Sequence, residues 1–112
     1  MKEGCSMKKP KEERKRDIEI LDKYHQHLTE KELEPLFQHF NQWKSGELAY
    51  YELTEFIHEF HKKNQKIWST FNCTGLDREN LIFHAKRDLN MFNEKDLQNE
   101  LYQRWMHFYD TM

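Results

Sequence analysis

Residues 29–71 read TEKELEPLFQHFNQWKSGELAYYELTEFIHEFHKKNQKIWSTF, and this stretch decides the fold class. Thr29 with Glu32 three residues on forms a capping box, the signature with which a helix opens. Leu33, Leu36, Phe37, Phe40 and Trp43 then recur at three- and four-residue spacing, which puts them on one helical face. Ser45-Gly46 stops that helix, because glycine takes the left-handed conformation of a helix C-terminus without a steric penalty. From about Tyr50 a second periodic run begins. Leu53, Phe56, Ile57, Phe60, Ile67, Trp68 and Phe71 line one side of it, with Asn64 on the same stripe. A short link between two such helices makes antiparallel neighbours, so the spacing predicts a helical hairpin. Pro35 is expected either to kink the first of these helices or to set its first turn apart.

The flanking sequence extends the pattern. Ile18, Leu21 and Tyr24 share one face of a helix expected from about Glu12 to Gln26, whose first turns are charged all round. Asn72 to Gly75 closes the long helix. Asp77 is placed to cap a further helix carrying Leu81, Ile82, Ala85, Leu89 and Phe92. Asn93 with Asp96 opens a last one carrying Leu97, Leu101, Trp105 and Phe108, its apolar face widened by Tyr102 and Met106. The expectation is an all-α protein, a small bundle of four to five helices built on a central hairpin that the other helices cover. Residues 1–11 read as a disordered basic tail and 12–112 as a single helical domain. Either Met1 or Met7 fits as the start.

Composition agrees. The chain has 112 residues, three glycines, two prolines and no valine, which argues against a sheet with its turns. Hydrophobic residues make up only 37%, but aromatics at 14% supply large areas for a modest core. No run approaches the ~18 consecutive apolar residues that span a bilayer. Met1 to Pro10 contains no apolar core of a secretion signal, so a cytoplasmic protein with two reduced thiols, Cys5 and Cys73, is expected. Residues 1–16 carry seven Lys/Arg against three Glu, while the whole chain has a net charge of −2. A basic arm on an acidic body is a poor nucleic-acid surface, and the helix after the hairpin turn would set Glu52, Glu55 and Glu59 against phosphates.

The run Trp43-Lys44-Ser45-Gly46-Glu47-Leu48, then Glu52-Leu53, then Ile57-His58-Glu59-Phe60-His61, resembles a group of small bacterial helical-hairpin proteins. The resemblance covers about a third of the chain and implies a hairpin fold and a bacterial cytoplasmic setting, with no chemistry attached. The same stretch is similar in spacing to an EF-hand. With Asn41 at loop position one, Gly46 falls at six, Leu48 at eight and Glu52 at twelve. The ligands depart from that pattern, with Trp43 at three, Ser45 at five and Ala49 at nine, so calcium binding is not expected.

Glu55, His58 and His61 are the candidate metal ligands. Glu55-x-x-His58 matches the Glu-x-x-His element that di-iron bundles use twice and is found here once, and His39 could add a donor from the facing helix. Boundary histidines on the rim of a hydrophobic seam explain the same residues without a metal. No nucleophile elbow, phosphate loop or cysteine–histidine pair is present, so no enzyme activity, cofactor or small-molecule substrate is expected. Five amphipathic stripes exceed what one small core can cover, and surplus apolar surface becomes an interface. Trp43, Tyr50, Tyr51, Trp68 and Trp105 are the interface candidates. The function expected is therefore a non-catalytic protein-interaction or accessory module that associates with itself, for instance as a homodimer. A metal-binding helical protein is the alternative.

Overall fold

The computed structural model describes residues 9–110. The chain is all-α: five helices and, among the described residues, no strand. They are α1 (Lys11–Lys44), α2 (Tyr50–Phe71), α3 (Gly75–Asp88), α4 (Glu94–Gln98) and α5 (Glu100–Asp110). No helix among the described residues is long and apolar enough to cross a membrane. Where one domain over 12–112 is expected, the chain groups into two compact units. One comprises the start of the chain to Leu21 together with Leu76 onward, and the other comprises Asp22–Gly75. Most of the expected tail lies outside the described residues.

The first difference from expectation is α1, a single helix of 34 residues that runs through both the Thr29 capping box and Pro35. Between Lys11 and Glu34 the chain has neither glycine nor proline, and nothing interrupts propagation. Thr29 therefore never becomes a cap; its Oγ1 is buried without a hydrogen-bond partner. The second difference is at the far end, where the expected fifth helix is two. Asn99 leaves the helix with extended backbone, and its side chain accepts from the Tyr102 N–H at 3.1 Å, capping α5 afresh.

The Gly46 stop and the Asn93–Asp96 box act as read, whereas Asp77 falls inside the first turn of its helix instead of capping it. Gly46 has φ +87° and closes α1 in a Schellman motif, in which the Glu47 N–H donates to the Gln42 carbonyl and the Gly46 N–H to Trp43. Asn90, at φ 56°, ends α3 in the same way, donating to Arg87 while Met91 donates to Lys86. Asn93 and Asp96 form the complete reciprocal capping box of α4, at 2.8 and 3.0 Å.

The unit of α3–α5 and the first turns of α1 is organised around a fully buried aromatic and a fully buried cation. Phe83 is wholly enclosed, with ring centroids of Phe92, Tyr102, Trp105 and Tyr109 at 5.3–6.2 Å. Lys86, one turn on, is equally buried. Its ammonium donates to Asp96 Oδ1 at 2.8 Å and to the Tyr102 hydroxyl at 3.1 Å, and it lies 3.4 Å from Asp17 Oδ1. Both carboxylates are themselves buried and take a second cation. Arg16 reaches Asp96 Oδ2 at 3.2 Å and also donates to the Met91 carbonyl, while Lys9 reaches Asp17 Oδ2 at 2.7 Å and Glu79 at 2.6 Å. Burial opposes the Lys9 charge, but its hydrogen bonds to Asp17 and Glu79 outweigh that and hold the ammonium above the usual lysine range. Lys9, assigned to the tail in the sequence reading, is thus anchored.

Burial likewise opposes the Asp96 charge, and the bonds from Lys86, the Asn93 N–H and Arg16 more than reverse it, so its pKa lies below the ordinary 3.8. A carboxyl depressed on folding stabilises fully above its unfolded value, and that contribution is lost as pH falls through the folded one. Stability should therefore decline with acid below about pH 3.8. In Asp96→Asn, urea midpoints measured from pH 5 to pH 2 should show a flatter slope over that window. An unchanged slope would mean that Asp96 does not titrate as this geometry requires.

In the hairpin unit, residues 22–44 of α1 pair with α2 across a link of residues 45–49. The facing pairs keep one register. His39 stacks on Phe56 at 3.6 Å and 5°, and Glu32 meets Lys63 at 3.4 Å. His25 packs against Trp68 at 4.2 Å and edge-on to Phe71 at 4.9 Å. Of the large apolar side chains in this unit only Tyr24 and Leu53 are buried. Positions 41–44 of the would-be calcium loop are helical, as are 50–52, so the segment is a helix–turn–helix rather than a twelve-residue ion loop.

Candidate interaction surface

The hairpin has two unlike sides. Helical spacing puts Glu32, Leu36 and His39 of α1 opposite Phe56, Phe60 and Lys63 of α2. The Glu32–Lys63 ion pair and the His39–Phe56 stack span the helices there, above a groove of about 170 Å3. Leu33, Phe37 and Phe40 project from the other side of α1. An antiparallel partner helix turns Ile57 and Trp68 to that same side. Trp68 touches His25 of α1, yet all five stay open: Leu33 41%, Phe37 58%, Phe40 40%, Ile57 38% and Trp68 60% exposed.

The result is a two-helix sheet of side chains with one apolar, mostly aromatic face in water. It reaches toward the turn, where Tyr50 and Tyr51 stand edge to face at 5.7 Å, both strongly exposed, and Trp43 lies under Lys44 at 6.0 Å. Four of the five interface candidates, Trp43, Tyr50, Tyr51 and Trp68, are thus exposed on one hairpin. Trp105 is not among them; it packs on Phe83 and Tyr102 in the other unit, at 5.4 and 6.0 Å. Leu33, Phe37, Phe40 and Ile57, placed by their spacing on apolar helix faces, lie at the surface. Their periodicity is that of any buried helix face, so only a count of helices available to cover them could have separated the two.

The metal candidates do not converge. Glu55 and His58 line an open depression with Thr54 and Glu59, and His61 is exposed. His39 is engaged elsewhere, stacked on Phe56 with Nδ1 3.1 Å from Gln42 Oε1. Among the described residues no three His, Cys, Asp or Glu side chains are placed to share a metal ion. Cys73 is half-buried with no partner sulfur among the described residues. Compared with known protein families, curated proteins and solved structures, the chain matches none.

Proposed function

We propose that this chain is a non-catalytic protein-interaction module that associates with itself through the open face of its hairpin. The observation that carries this reading is the apolar cluster of Leu33, Phe37, Phe40 and Ile57, with Trp68 farther along α2, left in water by a chain with ample charge elsewhere. Large side chains present roughly 200 Å2 each, so at about half exposure these five offer on the order of 500 Å2 per chain. That is at the upper end of what a monomer leaves bare, and two such faces together approach the ~1,000 Å2 of a specific interface.

Association adds stability by mass action, so the melting temperature of the unmodified protein should rise with protein concentration. Phe37→Ser combined with Phe40→Ser should abolish that dependence while the helical signal persists at low concentration, because neither ring is buried within one chain. A melting temperature that does not move over a hundredfold concentration range would contradict self-association.

A further inference from the structure

The geometry points to a defined occupant of this face: a second copy of the chain, docked about a two-fold axis parallel to the helices, so that α1 of each copy lies against α2 of the other. This rests on the self-association just proposed and adds its orientation.

Two hairpins stacked apolar face to apolar face make a four-helix bundle with antiparallel neighbours. Two symmetric arrangements do this. An axis along the bundle sets α1 on the partner's α2; an axis across it sets α1 on α1 and α2 on α2. The charges beside the apolar face separate them. Glu30 and Glu34 follow the outer edge of α1, one turn from Leu33 and Phe37. Both are exposed, Glu30 with only a 2.9 Å hydrogen bond from Gln26. The outer edge of α2 carries His58, His61 and Lys62 at the same distance from the turn. Lys62 is strongly exposed, its one ion partner among the described residues being Glu59 at a loose 3.7 Å.

The register is set by the pairs within the chain. Glu32 stands level with Lys63 and His39 with Phe56, so position 33 is level with 62. Rotation about an axis along the bundle preserves height. Lys62 of one copy then falls between Glu30 and Glu34 of the other, on both sides of the dimer. The crosswise axis sets α1 on α1 and α2 on α2, and so offers Lys62 no contact with Glu30 or Glu34 of the second copy.

Sedimentation equilibrium at low salt tests the orientation. Glu34→Lys and Lys62→Glu should each weaken the dimer about tenfold, since each change creates a repulsive rim contact at two symmetric places. Mixing the two variants should recover affinity to within about threefold of the original, because the mixed dimer restores opposite charge at both places. Pairing within one chain could not produce that recovery. If the unmodified chain dimerises but neither variant weakens it, or mixing restores nothing, the orientation is wrong and self-association stands. If the unmodified chain stays monomeric, or the face is filled only by a different protein, both fail.

Discussion

Lys86→Met is expected to cost about 3–5 kcal/mol, a large part of the stability of a domain this size. Methionine nearly matches the lysine stem in volume, so the loss is electrostatic rather than a cavity. Lys86 is the cation that Asp17 and Asp96 share, at 3.4 and 2.8 Å, and both carboxylates are almost fully buried. Without it Asp17 keeps Lys9 and Asp96 keeps Arg16, each from the partly exposed side. The inner oxygens are left facing the Tyr102 hydroxyl and hydrocarbon. Removing one partner of a buried ion network is costly because the others cannot regain water. Urea denaturation followed by circular dichroism measures the effect, and a loss below about 1 kcal/mol would mean that the network is solvated. Adding Asp17→Asn and Asp96→Asn to Lys86→Met should recover part of the loss, since amides tolerate burial better than orphaned charges.

Phe83→Ala should cost about the same, about 3–5 kcal/mol, by a different route. Phe83 is fully enclosed, and rings from α5 and the loop before α4 close on it: Phe92, Tyr102, Trp105 and Tyr109. Truncation removes the transfer free energy of the ring and leaves a cavity whose walls are rigid aromatics, which collapse poorly. The near-ultraviolet signal of Trp105 should be lost with it. Phe83→Leu, which keeps most of the volume, should retain that signal and cost well under half as much. Equal losses for the two variants would show that the cage does not depend on packing.

How legible this was in the sequence differs from element to element. The Gly46 stop and the Asn93–Asp96 box depend on neighbours within a few residues, so composition and spacing suffice. The Thr29–Glu32 box has the same spelling yet lies inside α1, because a capping signature acts only where the preceding chain leaves the helix, and residues 12–28 do not. Asn99 breaks the last helix with no glycine or proline to announce it; its side-chain oxygen competes with the helix backbone by taking the Tyr102 N–H. Lys86 reads as an ordinary surface lysine, and only its place one turn after Ile82 and Phe83 hints at burial. Its partners Asp17 and Asp96 come from distant segments, and no local pattern joins them. The open apolar face of the hairpin was half legible. Surplus apolar stripes were evident, as were Trp43, Tyr50, Tyr51 and Trp68, whereas Leu33, Phe37, Phe40 and Ile57 looked like core because a stripe does not say what covers it.

The central claim is that the hairpin's open face is completed by a second copy of the chain. The mass of the unmodified 112-residue chain in solution, by light scattering coupled to gel filtration over a concentration series, tests it. The mass should rise with concentration from the 14.0 kDa of one chain to twice that value and stop there. A mass fixed at one chain up to the highest concentration reached would contradict it.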